Sequence, residues 1–355
     1  MNCQKCGKLL PDGSMFCNYC GMKQIVKKVC SSCGAELPSD AMFCHICGEK
    51  LHLRNEINES PISSFLIKKR GKHTILTKYI GNDPDVIIPH GITQIGDYAF
   101  ADRDGINSVV IPDSVVYIGE SSFAGCSLKS IVIPDSVIAI MDYAFCNIQA
   151  ESIDIPNSIT YIGGYAFADS KLVSIDILDS VTTIGKSAFD GCENLKKCKL
   201  PDSITDISDY TFHECTSLQE VKLPKTICSI GDCAFYGCSL ESIHIPDSVE
   251  YIFDYAFFAC RSLEEITIPD GVKGLNRSVF GCCTKLHNVN LPDGIVSIGE
   301  GVFDDCDELS EIVIPESVND IHEKAFGGSS ATLVVYSGSY AEKYAIEHNK
   351  SYMCR

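Results

Sequence analysis

Eleven phenylalanines, Phe100, Phe123, Phe145, Phe167, Phe189, Phe212, Phe235, Phe257, Phe280, Phe303 and Phe326, recur at intervals of 22 or 23 residues. Each stands eleven residues after a Pro, at 89, 112, 134, 156, 201, 224, 246, 269, 292 and 315, with Leu178 replacing the Pro once. Six residues after that position comes Ile, Leu275 being the exception, and three after it comes Ile or Val. A chain that repeats one phrase this way, plainest as "SIVIPDSVIAIMDYAF" from Ser130 to Phe145, must build one local structure eleven times and stack the copies.

Within the phrase, Ile131 and Ile133 alternate with Ser130 and Val132, the period of a half-buried strand, and Pro134 ends it because it has no N–H for a ladder. The one-residue differences in length fall between the Phe and the next Leu, as in "FAGCSL" against "FDGCENL", so they belong to a loop outside the regular core. A lone coil has too few apolar side chains to offset the entropy of ordering it, and stacking lets each inward Ile, Val and Phe meet its equivalents in the neighbouring copies. At a strand spacing of about 4.8 Å, the array is a rod on the order of 50 Å long.

The columns, with the signature "IPDSVxxIGxxAFxGC", resemble the BspA-like leucine-rich repeats over Pro89 to Phe326, about two-thirds of the chain. The resemblance implies an α/β leucine-rich-repeat solenoid, right-handed, with one short parallel strand per coil. It also implies binding of other macromolecules, some members of the family being cell-surface adhesins, and it implies no catalytic residues.

The amino-terminal segment has a different chemistry. Residues 2–21 and 29–48 are an internal duplication, each copy a CxxCG, ten residues and a second CxxCG. Two residues between thiolates let one tight turn present both sulfurs to a metal, and two such turns complete the tetrahedron of Zn²⁺. Cys3, Cys6, Cys17 and Cys20 are expected to hold one ion, and Cys30, Cys33, Cys44 and Cys47 the next. Four thiolates close the shell, which makes such sites structural; a rubredoxin-like iron site would use the same ligands. The pair resembles tandem zinc ribbons over residues 1–48, preceding the solenoid as two small four-cysteine modules. His45, between ligands in "CHIC", reads as a surface residue.

The expected organisation is a ribbon at 1–24, a second at 25–50, a linker at 51–62, a capping β-hairpin at 63–84 around "KKRGK", the solenoid at 85–330, and a carboxyl-terminal cap at 331–355. In that last cap, Ser339 with Glu342 makes a capping box for a short helix. Terminal elements of this kind cover the open edges of a stack.

The net charge of -18 is unevenly shared. Residues 1–82 carry 12 Lys and Arg against 6 Asp and Glu, and the remainder 17 against 41, so an acidic rod follows a basic front end. Nucleic acid is therefore not expected as a partner except through the ribbons and the hairpin tip, Lys68, Lys69, Arg70 and Lys72. Many of the acids follow the strand-ending Pro (Asp113, Asp135, Asp202, Asp247, Asp270, Asp293), where Pro-Asp-Ser and Pro-Asp-Gly favour turns.

Of the 21 Cys, seven (Cys126, Cys192, Cys215, Cys238, Cys260, Cys283, Cys306) share one phase three residues after the Phe. They read as a column of small buried hydrophobes, although neighbouring coils would bring them near disulfide range. The start "MNCQKCGKLL" contains no apolar leader, and no apolar run is long enough for a membrane span, so the expectation is a cytoplasmic protein with reduced thiols, non-classical surface exposure being the alternative.

No nucleotide-binding, nucleophile-elbow or zincin motif occurs, and the nine His are scattered, so enzyme activity is not expected. Recognition is expected from outward strand residues. Two residues before each Pro position runs the column Ile87, Val110, Val132, Asp154, Asp176, Lys199, Lys222, His244, Thr267, Asn290, Val313, apolar, then acidic, then basic. Beside it run Asp85, Ser108, Ser130, Ser152, Ser174, Lys197, Glu220, Ser242, Glu265, Asn288 and Glu311. An exposed apolar patch at Val110 and Val132 next to charges of changing sign would suit a protein or extended peptide.

Overall fold

The computed structural model of the chain describes residues 60–355, together with the strands Lys28–Val29 and Glu36–Leu37. Each repeat forms one coil, and successive coils stack so that residues one repeat apart become neighbours. Three strips of backbone hydrogen bonds join the coils.

The first strip is the strand expected before each Pro. Asp85–Ile87, Ser108–Val110 and Ser130–Val132 pair in parallel and in register, as do Ser174–Asp176, Lys197–Lys199 and Glu220–Lys222. Their middle residues, among them Val86, Val109, Ile131, Ile175, Cys198 and Val221, are buried. The Pro-Asp-Ser turn follows as expected, with the Pro112 and Pro134 carbonyls accepting from the N–H groups of Val115 and Val137 at 3.0 and 3.1 Å. No strand forms at 152–154 or at 242–244, where Ser242 makes a single parallel bridge to Glu265, and in the fourth and fifth coils the buried hydroxyls of Ser158 and Ser180 have no hydrogen-bond partner.

A second strip was not legible as a strand. Two-residue strands such as Tyr117–Ile118, Ala139–Ile140 and Tyr161–Ile162 end on the Ile six residues past each Pro position and pair in parallel. Two residues are too few for alternation to announce a strand. The residue that follows is usually Gly, and geometry explains the choice. A Cβ at Gly119, Gly163, Gly185 or Gly231 would come within 2.5–2.8 Å of the preceding coil's backbone. With glycine there, the N–H reaches the carbonyl of the Ile one coil back, as from Gly163 to Ile140 at 2.9 Å.

Ser208 and Asn276 occupy the glycine column in two coils, and their side chains take over that carbonyl. Ser208 Oγ donates to Ile184 O and Asn276 Nδ2 to Ile252 O, both at 2.7 Å. The ladder is interrupted at these two places, between Thr183–Ile184 and Asp206–Ile207 and between Tyr251–Ile252 and Gly274–Leu275. Met141 and Phe253, which have no polar group to offer, keep the backbone bond.

The third strip surrounds the phenylalanine. In the third coil the N–H groups of Tyr143, Phe145 and Asn147 donate to the carbonyls of Gly164, Ala166 and Ala168 at 2.7–2.9 Å. Tyr143 and Asn147 have φ of 58° and 55°, and the same left-handed pair flanks Phe167 and Phe212. A left-handed residue on either side turns the intervening peptides so that three alternate N–H groups point the same way along the rod.

Inside this strip the eleven rings form a single file. Consecutive centroids lie 4.9–6.1 Å apart with interplanar angles of 3–22°. All eleven are buried to within 1% of complete exclusion from solvent.

Both ends are closed by elements that imitate a coil. The hairpin Phe65–Arg70 and His73–Tyr79 turns at Gly71, whose φ is 59°, and its second strand pairs in parallel with Gln94–Ile95. Tyr79 stacks on Phe100 at 5.3 Å, and Phe65 lies on Tyr79 at 5.2 Å. Ser60 covers the edge of the first strip by donating its N–H to Ile87 O and accepting the Ile87 N–H on Oγ, both at 3.2 Å.

At the other end Thr332–Val335 pairs with Glu311–Val313, and Tyr352–Cys354 pairs in turn with that strand. Between them lies the helix Tyr340–Glu347, the one α-helix among the described residues. Ser339 Oγ accepts from the Glu342 N–H at 3.2 Å, while the Glu342 carboxylate accepts from the Gly338 N–H at 2.6 Å, one residue before the box's usual reciprocal donor. From this helix Tyr344 reaches Phe326 at 6.4 Å.

Removing one ring from the middle of the file leaves a cavity that two neighbours cannot close. Phe189→Ala is expected to cost about 3–5 kcal/mol, read as a lowered midpoint in urea unfolding followed by circular dichroism. A loss below about 1 kcal/mol would contradict a continuous aromatic column.

Candidate functional site

The outer residues of the first strip lie on one face of the rod. Asp176, Lys199, Lys222 and His244 are exposed, and so are Lys197, Glu220, Glu265 and Glu311 beside them. Asp154, at 152–154 where no strand forms, is exposed as well. Val110 and Val132 differ from the expectation of an exposed patch, and Ile87 behaves like them. They are half-buried, because each is flanked by its equivalents in adjacent coils and Ser60 lies against the first.

Two polar pairs bridge adjacent strands on this face. Lys197 Nζ is 3.3 Å from the Glu220 carboxylate, and Ser108 Oγ donates to Asp85 at 2.6 Å. Lys199 and Lys222 sit directly opposite one another in the register, and neither has a carboxylate within ion-pair distance among the described residues. Two like charges side by side on an acidic rod are an unsatisfied feature of the surface.

Two columns with structural duties were missed by sequence reasoning. The Ser of Pro-Asp-Ser, and of Pro-Glu-Ser at Ser317, is more than a turn former. Ser114, Ser136, Ser248 and Ser317 donate across to the carbonyls of Ile92, Val115, Ile227 and Ile295 at 2.6–2.7 Å, and Thr226 does the same to Ile204. The acid after the glycine column is the second. Asp97, Asp142, Asp209, Asp232 and Asp254 each accept the N–H of the equivalent residue in the next coil at 2.9–3.1 Å. Part of the negative charge is thus built into the stacking, and burial followed by the neighbouring Asp209 raises the Asp232 carboxyl above its ordinary range. Repetition of Asp at that phase was the available signal.

All thirteen cysteines of the described residues are free. The seven of the shared column are buried as expected, and each also donates its thiol to the carbonyl of the Phe one coil back, as from Cys215 to Phe189 and Cys238 to Phe212 at 3.1 Å. Burial pushes Cys126 up to about 11 and Cys192, Cys260 and Cys306 up to about 12. Among the described residues no group of three His, Cys, Asp or Glu is arranged to hold a metal.

The eight ribbon cysteines lie outside the described residues. The antiparallel pairing of Lys28–Val29 with Glu36–Leu37 brackets in sequence the CxxC of Cys30 and Cys33, and four thiolates per module are a donor set that fits zinc. No described helix is long and apolar enough to cross a membrane.

Parallel in-register strands, one apolar column per inward position and short connecting turns define a leucine-rich-repeat solenoid. A family model described as the BspA type leucine rich repeat region, in six copies, matches residues 79–196, 138–252 and 228–351, well over half of the chain, and the protein belongs to that family. A double zinc ribbon model matches residues 3–48.

A leucine-rich repeat protein from Bacteroides ovatus is 24% identical over 82% of this chain and 97% of its own, with a TM-score of 0.53. The pneumococcal vaccine antigen PcpA is 16% identical over 82% and 96%, with a TM-score of 0.50. A leucine-rich repeat protein from Eubacterium ventriosum is 25% identical over 72% and 88%, with a TM-score of 0.46. No curated protein matches the sequence.

The buried thiols make stability depend on alkaline pH. Unfolded thiols ionise near 9.0 while burial holds the proton on Cys126 to about 11 and on Cys192 to about 12 and raises the rest of the column as well, so the contribution is intact below pH 9 and falls as pH rises beyond it. The thermal midpoint is expected to drop between pH 9 and 11. Near pH 8 a thiol reagent should label exposed Cys228 and Cys354 and spare the seven column residues until denaturant is added, as mapped by mass spectrometry. Early labelling of the column would contradict its burial.

Proposed function

We propose that this protein is a non-enzymatic scaffold that binds a protein partner, as an extended or surface segment, along the outer residues of the three-residue strands. The observation that carries the reading is the adjacent pair Lys199 and Lys222, without a carboxylate partner among the described residues on an otherwise acidic rod. Inward residues are committed to stacking, and the outward column is the part of each coil left free to vary. Val110 and Val132 would line one end of the contact, Asp154 and Asp176 follow, and His244 lies beyond the lysines. A partner segment with acids opposite Lys199 and Lys222 would be held in register by both signs of charge.

The two ribbons are proposed to bind one structural Zn²⁺ each, through Cys3, Cys6, Cys17 and Cys20 and through Cys30, Cys33, Cys44 and Cys47. Modules this short have little apolar core, so metal binding and folding are one event. A cytoplasmic location suits the thiolate ligands and the free thiols of the solenoid.

In affinity capture from the source cell, Lys199→Glu with Lys222→Glu is expected to lose the principal partner of the unaltered chain without a change in circular dichroism. Undiminished capture by the folded double variant would move the contact off this face. Metal analysis of the whole chain should give two zinc ions, and Cys17→Ser with Cys20→Ser should reduce the content to one. Iron instead of zinc, or no loss, would overturn the ligand assignment.

A further inference from the structure

The strip around the two-residue strands carries a surface of its own, distinct from the strand face. In the first three coils it exposes Tyr98, Val116, Tyr117, Ile138 and Tyr143, with Tyr98 59% accessible. Interleaved with them are Asp97, Glu120 and Asp142, all exposed, and no Lys or Arg occurs in this column between Lys78 in the hairpin and Lys186 in the fifth coil. Tyr98 and Tyr143 adopt left-handed backbone, φ 58°, which costs a bulky residue more than it would cost glycine or asparagine. Ser121, Ser187 and Ser278 occupy the same column in other coils, so packing does not demand an aromatic ring there. Strain accepted for an exposed ring points to a use for the ring.

Further along the rod the chain itself displays what sits on such a ring. Lys186 Nζ lies 4.8 Å from the centroid of Tyr210 and 3.7 Å from the Asp209 carboxylate. The Arg277 guanidinium lies 5.7 Å over Tyr255 and 3.4 Å from Glu300. Tyrosine and acid in these two columns thus hold a cation twice within the molecule, Lys186 at the adjacent pair Asp209 and Tyr210, and Arg277 between Tyr255 in the coil before it and Glu300 in the coil after it. The corresponding pairs Asp97 with Tyr98 and Asp142 with Tyr143 have no cation among the described residues. The Tyr98 hydroxyl donates weakly to Glu120 at 3.4 Å, and Tyr143 stacks on Tyr165 at 4.6 Å.

We infer that this tyrosine and carboxylate face of the first three coils binds an extended, arginine- or lysine-bearing segment of a protein partner, each cation seated over a ring beside an acid as Lys186 is seated in cis at Asp209 and Tyr210. The aliphatic Val116 and Ile138 would contact the stems of such side chains. Tyr98 and Tyr143 are two coils apart, about 10 Å, which matches about three residues of extended chain. Cations at every third position fit that spacing.

The test uses the full chain and a fluorescein-labelled peptide of six Arg-Gly-Ser triplets, read by fluorescence anisotropy. Tyr98→Ser with Tyr143→Ser is expected to weaken binding at least roughly fivefold while circular dichroism and the thermal midpoint hold. Lys186→Ser, which frees the Asp209 and Tyr210 pair, should tighten it. Equal binding by the double tyrosine variant would mean diffuse attraction to an acidic rod and would overturn the inference. So would equal binding of a Glu-Gly-Ser peptide, or a Lys186→Ser variant that binds no better than the parent chain.

Discussion

Each phenylalanine ring meets the same ring one coil above and one below, and everything else in the rod is arranged to keep that register. The left-handed residues on either side of the ring aim three amide groups at the next coil. In the second strip N–H groups reach back to the preceding coil, and glycine at most of these positions relieves the crowding of a Cβ against that coil's backbone. Serine hydroxyls, aspartate carboxylates and cysteine thiols then serve carbonyls and amides of the adjacent coil from three further directions. Because these bonds run between coils, the stack gains cooperativity that no single coil possesses.

Register also accounts for the ends. A stack of this kind exposes unpaired backbone and an uncovered ring at each terminus. The chain answers with near copies of a coil: Tyr79 in place of a phenylalanine at one end, Tyr344 from a helix at the other, and Ser60 imitating a strand partner for Ile87. The molecule is thereby finished without a new architectural principle.

Legibility in the sequence followed periodicity. The inward columns, the strand before most of the Pro positions (not Pro156 or Pro246), the hairpin around "KKRGK" and the capping box at Ser339 were readable because each rests on residue type at a fixed spacing. The second strip was not, since a two-residue strand has no period and its glycine is demanded by an approach between coils that only coordinates reveal. The same holds for the Pro-Asp-Ser serine, whose turn-forming role hides its donation across the stack. Val110 and Val132 were expected on an open surface and are half-covered, because alternation assigns a direction to a side chain and says nothing of its neighbours' shielding. The cation sites at Tyr210 and Tyr255 pair residues from adjacent coils and were invisible as a linear motif.

The inward residues of each coil are committed to stacking while the outward strand residues are left free to vary, so a solenoid of this kind could change its ligand without changing its core. That division holds only if the coils stay in register along the whole length. Native-state hydrogen exchange with residue or peptide resolution tests it most directly. The account predicts strong protection at the amides of the phenylalanine column and of the glycines after the second strip, continuous from Phe123 to Phe303 and declining toward both caps. Protection confined to a few coils, with the remaining column amides exchanging as fast as the loops, would contradict it.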